Sequence, residues 1–213
     1  MNKYQTSDKT RRALIGAAGE LAAEEGFSTI TTRKIAERSG ENIGSIHYHF
    51  GSKEKLFEVT LLAACRSWIT HPLAEILVDC NLQSKKGQAE AIIRAITRVT
   101  NLLFDRDIPG WHCRVVFQVM QTDNNLRDLF SATVMDEELE QIGKLLNAID
   151  PTLSEELRLQ HFLLLFIPLY FHADYRSAIL QRLGKEEYSE EYLETLRDSC
   201  IRQALMRYHL PVE

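Results

Sequence analysis

The segment from residue 31 to residue 57, TTRKIAERSGENIGSIHYHFGSKEKLF, constrains the fold more than any other part of this sequence. The hydroxyl of Thr31 or of Thr32 is suited to cap a first short helix, and Gly40 can end that helix in the left-handed conformation. Asn42 is a natural N-cap for a second helix, and Ser52 for a third that follows directly. Two short helices joined by a tight glycine turn are an arrangement with which proteins place one helix in the major groove of DNA.

The second of these helices, expected over residues 43–49, has two chemically different sides. Ile43, Ile46 and Phe50 are spaced by three and four residues, so we expect them to share one face toward the core. The opposite face carries small or uncharged side chains, namely Gly44, Ser45, His47 and Tyr48. Because glycine has no side chain, this face can approach the floor of a groove closely. The helix contains no lysine or arginine, so sequence specificity would depend on a few uncharged groups and on DNA shape.

Several short elements within about residues 9–60 stand at a spacing that is specific to one family. They are Gly26-Phe27, Thr31-Thr32-Arg33-Lys34-Ile35-Ala36, Gly40 and Tyr48-His49-Phe50-Gly51-Ser52-Lys53-Glu54-Lys55-Leu56. With these elements the sequence resembles the DNA-binding domain of TetR/AcrR-type transcriptional regulators, and the form of residues 40–53 is similar to a CecR-like subgroup. The segment departs from the common family pattern in two places: Glu41-Asn42-Ile43 stands where many members have Val-Ser and a small or basic residue, and His47 stands where many have tyrosine.

The resemblance implies where this segment would touch DNA. It implies phosphate contacts from Thr32, Tyr48 and Lys53, and base contacts from the helix between Asn42 and His47. By their chemistry, Asn42 can pair with adenine N6 and N7, and His47 with guanine N7 or with a phosphate. Two alternatives stay open, because Asn42 can serve purely as an N-cap and His47 can be a solvated helix residue. The candidate DNA-binding residues are Thr31, Thr32, Arg33, Asn42, Ile43, Gly44, Ser45, His47, Tyr48 and Lys53.

Charge is distributed unevenly along the chain. The net charge of −5 over 213 residues divides into +1 for residues 1–60 and −6 for the remainder. A cluster of basic residues stands near the start of the chain: Lys3, Lys9, Arg11 and Arg12. Because phosphate binding needs local positive charge rather than a basic protein, the acidic total does not exclude a nucleic-acid partner.

The sequence contains no segment that predicts secretion or a membrane span. The apolar stretch 13–18 is too short for a signal peptide, and the longest apolar run, 162–171, is about half of the ~20 residues that a spanning helix needs. The four cysteines are scattered without a CxxC pair, as is typical of free thiols: Cys65, Cys80, Cys113 and Cys200. We therefore expect a cytoplasmic protein that makes no membrane contact and needs no metal or cofactor.

Apolar residues recur at helical spacing and no segment alternates as strands do, so the sequence predicts an all-α fold. We expect helices over residues 8–25, 32–39, 43–49, 53–81, 88–105, 110–121, 126–149, 153–182 and 190–208. An N-terminal three-helix DNA-binding domain with a helix-turn-helix, residues 1–52, would precede a larger helical ligand-binding and dimerisation domain, residues 53–213.

The last two predicted helices indicate a homodimer. The segment 153–182 is apolar almost all round between Leu157 and Phe171, and a domain of this size rarely buries such a helix alone. The final helix carries an apolar seam from Tyr192 to Leu205. A two-fold four-helix interface would bury both helices, and the resemblance implies the same dimer, which would read a palindromic DNA operator at a separation of roughly one turn (~34 Å) or more. The alternative is that both helices form the core of a monomer.

Large apolar residues with polar neighbours predict a small-molecule pocket in the second domain. The candidates are Leu103, Trp111, His112, Arg114, Phe117, Gln118, Met120, His161, Phe162, Phe166 and Tyr170. The resemblance implies a small-molecule inducer, at least partly apolar, whose binding would change the spacing of the recognition helices. Ordinary core packing is an equally open interpretation for any one of these residues.

The sequence thus favours a repressor that binds a palindromic operator and is released by an inducer. Two other classes stay open. One is a DNA-binding protein without an inducer, either constitutive or switched by thiol oxidation. The other is an enzyme that uses Cys113 or a histidine, for which the sequence offers no nucleophile elbow, metal motif or phosphate-binding loop.

Overall fold

The computed structural model of the protein describes residues 3–212, with side chains from residue 7 onward. Within that range every regular element is helical, so the prediction of an all-α fold is confirmed. Lys3, part of the predicted basic cluster, lies outside the described side chains. The helices are α1 (Lys3–Glu25), α2 (Thr32–Ser39), α3 (Ile43–Phe50), α4 (Lys53–Ala64), α5 (Arg66–Thr70), α6 (Leu73–Leu77), α7 (Lys85–Phe104), α8 (Trp111–Met120), α9 (Asn125–Phe130), α10 (Asp136–Ile149), α11 (Glu155–Asp174), α12 (Arg176–Leu183) and α13 (Glu190–Arg207), with a 3-10 turn at Phe27–Thr29 and a π-helical segment at Ser131–Met135.

Two long helices predicted from the sequence are interrupted. The single helix predicted over residues 53–81 is wrong, because this segment forms α4, α5 and α6. Pro72 stands before α6 in an extended conformation, with φ −64° and ψ 145°. Proline has no N–H to donate to the preceding turn, so a helix cannot continue regularly through this position. The helix predicted over residues 153–182 likewise ends early, and Tyr175 separates α11 from α12.

Three other helices also differ from the prediction. The first helix, predicted from residue 8, begins at Lys3. The helix predicted from residue 88 begins at Lys85, because Ser84 caps it and its Oγ accepts the N–H of Gly87 at 3.1 Å. The helix predicted over residues 126–149 is divided into α9, the π-helical segment and α10. The serine at residue 84 could have indicated where α7 begins, because serine is a preferred N-cap. The spacing of apolar residues, in contrast, does not reveal the π-helical segment.

The chain forms two compact units. The first comprises the chain up to Ser67 together with Ile108–Thr133, and the second comprises Trp68–Asp107 together with the chain from Val134 onward. In the first unit α1 packs against α2, α4 and α8, and α4 also packs against α8 and α9. Helices α4, α8 and α9 thus complete the packing of the N-terminal helices within this unit. The functional boundary expected after residue 52 stays a prediction.

Helix α8 is joined to α1 by two specific contacts within the first unit. A Cβ at Gly19 would lie 2.5 Å from the Cδ2 and Cζ3 atoms of Trp111, so the absence of a side chain makes room for the indole ring. Gln118 Nε2 donates to the carbonyl oxygen of Ala23 at 3.1 Å. Segment 111–120 is therefore a structural part of the unit that contains the helix-turn-helix.

A buried ion pair crosses the second unit, in which α7 packs against α6, α10, α11 and α13. Arg98 and Glu138 each expose 4% of the side chain, and their Nη2 and Oε1 atoms are 2.8 Å apart. A second contact joins Nη1 to Oε2 at 2.9 Å, and Arg98 Nε donates to the carbonyl oxygen of His71 at 2.6 Å. Removing one partner alone would leave an uncompensated buried charge. The pair therefore holds the turn between α5 and α6 against α7 and α10.

Substitution of Gly19 tests the contact between α1 and α8. Gly19→Ala should lower the free energy of unfolding by about 1–3 kcal/mol, because the new methyl group overlaps the Trp111 ring. Gly16 lies in the same helix and has nothing within 4 Å of an added Cβ, so Gly16→Ala should be neutral or stabilise by up to about 1 kcal/mol. Urea unfolding followed by circular dichroism measures both variants. Equal stability of the two would show that Trp111 is not held against α1.

Candidate nucleic-acid interface

Side-chain caps and two glycines set the ends of the helix-turn-helix. Thr31, Asn42 and Ser52 each cap the helix that follows, with a side-chain oxygen 3.2, 2.9 and 3.1 Å from the backbone nitrogen three residues later. Gly40 ends α2 at φ 72°, and Gly51 ends α3 at φ 79°. Positive φ values of this size favour glycine, which has no Cβ to clash. The predicted caps and the two-helix arrangement are confirmed.

The inner face of α3 differs from the prediction at one residue. Ile46 and Phe50 are buried, with 0% and 8% of their surfaces exposed. Ile43 was expected to join them, but 43% of its surface is exposed, so that prediction is wrong. Ile43 opens the helix, and the core that covers Ile46 one turn later does not extend to it. The outer face of α3 consists of Ile43, Gly44, His47 and Tyr48, whose ring is largely exposed.

Two polar groups beside this outer face already have partners in the protein. The Oδ1 atom of Asn42 accepts the N–H of Ser45, and a Cβ at Gly44 would lie 3.0 Å from that oxygen. His47 Nδ1 lies 3.2 Å from the carbonyl oxygen of Gly51. Because a carbonyl oxygen only accepts, this geometry assigns the proton to Nδ1 and leaves Nε2 of a neutral ring as an acceptor. Such a ring matches a base amino group better than guanine N7, which is itself an acceptor.

The basic residues of α2 are paired with carboxylates of the same unit. Arg33, Lys34 and Arg38 form ion pairs of 2.9, 2.5 and 2.9 Å, and their respective partners are Glu37, Glu25 and Glu24. The hydrogen bond from Arg38 lowers the pKa of Glu24 below its ordinary value. These pairs are on the surface, where salt screens them. The positive charge of α2, including that of the candidate Arg33, is thus compensated within the unit.

Lys53 lies beside the start of α2. Its Nζ atom donates to the carbonyl oxygen of Ile30 at 3.2 Å and is 5.4 Å from the centroid of the Phe57 ring. Ile30 directly precedes Thr31 and Thr32 in the chain. The fold therefore brings Lys53 close to the start of α2, where Thr32 lies. Phosphate contacts are predicted for both residues.

Arg11 adds a positive charge at the end of α3. Its guanidinium carbon is 5.6 Å from the centroid of the Phe50 ring, in a cation–π contact. Arg12 is also exposed, and its Nε atom donates to the carbonyl oxygen of Asp8 at 3.3 Å. The predicted N-terminal basic cluster thus places Arg11 close to the recognition helix, a detail that sequence spacing did not indicate.

The predicted ligand-binding residues are divided between the two compact units. In the first unit they lie on α8: Trp111, His112, Arg114, Phe117, Gln118 and Met120. In the second unit they lie on α7 and α11: Leu103, His161, Phe162, Phe166 and Tyr170. Phe162 and Phe166 are buried in the core, and His161 Nδ1 is 3.3 Å from the hydroxyl of Tyr208. Their common role in one pocket remains a prediction.

The second unit contains a cavity that the sequence did not indicate. It has a volume of about 540 Å³, within the range of small-molecule sites. It is lined by Thr100, Asn101, Phe104, Asp105, Arg106, Glu190, Leu193, Glu194 and Arg197. None of the predicted ligand residues belongs to this lining. The lining residues come from two segments about ninety positions apart, and most are charged or polar, so an apolar pattern could not have found them.

His112 is the least satisfied polar side chain of α8. Its Nδ1 atom is buried and has no hydrogen-bond partner within the described residues. Its ring stands edge-on to that of Trp111, with the two centroids 4.1 Å apart. Burial lowers the pKa of His112 from its ordinary value of 6.5 to about 4. The ring is therefore neutral in the folded protein near neutral pH.

Burial disfavours reactivity at most of the cysteines. Cys65, Cys80 and Cys200 are buried and Cys113 is half-buried, all as free thiols. Burial raises the pKa of Cys65 to about 12, which disfavours the reactive thiolate. Among the described residues, no three or more His, Cys, Asp or Glu side chains are grouped so that they could hold a metal ion. No helix between residues 3 and 212 combines the length and apolarity needed to cross a membrane.

Comparison with known proteins relates the N-terminal segment to one protein family. Residues 14–60 match the family described as bacterial regulatory proteins, tetR family. This N-terminal segment is therefore a domain of the tetR family. A relative, the HTH-type transcriptional dual regulator CecR of Shigella flexneri, is 34% identical over 110 residues, which are 47% of this chain and 47% of CecR. The HTH-type transcriptional repressor AcnR of Corynebacterium efficiens is 40% identical over 55 residues, 24% of this chain and 29% of AcnR.

The match spans about half the length of CecR and less than a third of AcnR. Both relatives are regulators by name, which points away from catalysis. Over most of the chain the fold is that of multidrug binding protein EbrR, solved in complex with malachite green. EbrR is 16% identical with a TM-score of 0.53, and the match covers 95% of this chain and 98% of EbrR. At that identity the likeness shows the fold alone.

Replacement of His112 should change how stability depends on pH. Its pKa is about 4 in the folded protein and close to the ordinary value of about 6.5 in the unfolded chain, so the unfolded state binds the extra proton between these values. The stabilisation is complete above the unfolded pKa and is lost as the pH falls toward the folded pKa. His112→Gln should therefore lose less stability than the native protein between about pH 7 and pH 5.

Urea unfolding across this pH range measures the effect of His112→Gln. Above about pH 7.5 neither state of the native protein protonates His112, so the two profiles should run parallel there. Identical pH profiles over the whole range would show that the His112 ring is solvated in the folded state.

Proposed function

We propose that the protein is a transcriptional repressor that binds a palindromic DNA operator as a homodimer and is released by a small molecule. The observation that carries DNA binding is the outer face of α3. A helix of eight residues is capped at both ends and exposes Ile43, Gly44, His47 and Tyr48 together. This face lies in the domain that matches the tetR family. A helix-turn-helix uses such a face to contact base edges while neighbouring residues hold the phosphates.

Phosphate positioning is assigned to groups at the start of α2 and beside α3. Thr32 and Lys53 lie together near Ile30, and Arg11 stands at the end of α3. Tyr48 is 80% exposed, so its hydroxyl is free to reach a phosphate from the outer face. The first turn of α4, capped by Ser52, adds the partial positive charge of a helix N-terminus.

The homodimer is supported by an exposed apolar stripe along α11 and the residue that directly follows it. Leu164, Ile167, Phe171 and Tyr175 follow one another at helical spacing, and each exposes 49–52% of its surface. The opposite side of the same helix is buried in its own unit, through Leu165, Phe166 and Leu169 among others. Monomeric soluble proteins rarely leave a large contiguous apolar patch in water. A two-fold pairing of α11 with a second copy, and of α13 beside it, would cover this stripe.

Release by a small molecule is supported by the place of α8 in the first unit. This helix carries six of the predicted ligand residues and contacts α1 through Trp111 and Gln118. A ligand that moved α8 would therefore act directly on the unit that holds α3. EbrR, which shares the fold, is described as a multidrug binding protein and holds malachite green. The cavity beside Phe104 and Leu193 offers a second place for such a ligand.

A regulator without an inducer is the second candidate. It would be favoured if no small molecule raised the melting temperature or weakened operator binding. Its thiol-switched form has one half-buried candidate, Cys113, and would fail if a mild oxidant left operator affinity unchanged. Catalytic turnover in place of tight, salt-sensitive duplex binding would instead indicate an enzyme.

Replacement of Lys53 tests the mode of DNA binding. An operator is first selected from a random duplex pool, and its affinity is measured by fluorescence anisotropy over a series of salt concentrations. Lys53→Ala should weaken binding to operator and unrelated duplexes alike and reduce the salt slope by about 1 for each protomer. Lys86→Ala replaces an exposed lysine of the second unit and should leave the slope unchanged. A change in sequence preference with the slope intact would contradict the positioning role.

A charge on the apolar stripe tests the homodimer. Ile167→Glu should yield a folded monomer in analytical ultracentrifugation, because the side chain is half exposed within its own chain. Operator affinity should fall by roughly 100-fold or more, since each half-site would then be bound independently. Val78→Glu is the matched control, because Val78 is 74% exposed and lies outside the stripe. A dimeric Ile167→Glu protein with native operator affinity would place the interface elsewhere.

A further inference from the structure

We propose that Ile43 reads the 5-methyl group of a thymine, so that each operator half-site carries a thymine opposite the first turn of α3. The proposal rests on the DNA binding proposed above and adds the base chemistry that this helix recognises. Ile43 is then a specificity-determining residue rather than part of the core.

The first observation is the position of Ile43 relative to the core. It is the first residue of α3 and exposes 43% of its surface, although Ile46 and Phe50, which follow it at helical spacing, are buried. On the outer face its neighbours along the helix are Gly44 and His47. An apolar side chain thus stands at the N-terminal end of the face that would enter the groove.

The chemistry of the major groove leaves one counterpart for this side chain. Base edges there present hydrogen-bond donors, acceptors and a single kind of apolar group, the thymine methyl. Isoleucine can neither donate nor accept a hydrogen bond, so it distinguishes bases only by apolar contact. Gly44 beside it adds no side chain, which permits a close approach of this turn to the groove floor.

The neighbouring Asn42 is less available for base reading than its chemistry suggests. Its Oδ1 atom accepts the N–H of Ser45 at 2.9 Å. Paired recognition of adenine needs the same oxygen to accept from N6 while the amide nitrogen donates to N7. A Cβ at Gly44 would lie 3.0 Å from this oxygen, so the glycine preserves the cap. Because the cap uses the side-chain oxygen of Asn42, Ile43 is the residue of this turn that is left to distinguish bases.

Replacement of each thymine by deoxyuridine tests the proposal, because deoxyuridine lacks only the 5-methyl group. The selected operator is synthesised with one symmetry-related pair of thymines replaced at a time, and affinity is measured at constant salt. One pair should weaken binding by about 4-fold for each half-site, the effect of losing one buried methyl group. At that pair, Ile43→Ala should bind the thymine and deoxyuridine duplexes equally.

Ile69→Ala is the matched control, because Ile69 is 45% exposed and lies in the second unit. It should keep the full difference between thymine and deoxyuridine. Native protein that is indifferent to every replacement, or a difference that persists in Ile43→Ala, would overturn the role of Ile43 while leaving DNA binding intact. Absence of salt-sensitive binding to any duplex would instead reject the proposed function itself.

Discussion

Burial of Ile46 and Phe50 is the constraint on which the orientation of the recognition helix depends. Helix α3 has only eight residues, and these two side chains fix its rotation about its own axis. The cap at Asn42 and the glycine at Gly51 fix its two ends. Because its rotation and its ends are fixed, α3 cannot turn its four outer residues toward the core. The candidate interface therefore follows from core packing rather than from any feature of the outer face itself.

Local signals in the sequence were sufficient for the helix-turn-helix but not for its exact inner face. Thr31, Asn42 and Ser52 were recognisable as caps because capping depends on groups within three residues. Ile43 was misplaced because a spacing of three describes which side of a helix a residue occupies, not how far the neighbouring core extends. The same limit explains the missed break at Pro72, where apolar periodicity continued although the backbone donor was absent.

Local sequence patterns could not predict that residues 108–133 pack in the first unit. Trp111 packs on Gly19, which is more than ninety positions earlier, and neither residue indicates the other by spacing. In the structure α8 is a neighbour of α1 and α4, so one unit contains both the candidate DNA face and six of the eleven candidate ligand residues.

Charge and symmetry are linked in this protein. The cations of α2 are compensated by carboxylates, and α3 itself carries no lysine or arginine. A single copy would therefore gain little affinity from counterion release, which scales with the number of phosphates neutralised. Two copies on one operator make the second contact intramolecular and can raise the combined affinity by roughly 100-fold or more without any new contact. The apolar stripe along α11 is a candidate surface for that pairing. The absence of lysine and arginine from α3 and the proposed dimer are therefore both consistent with binding by two copies on one operator.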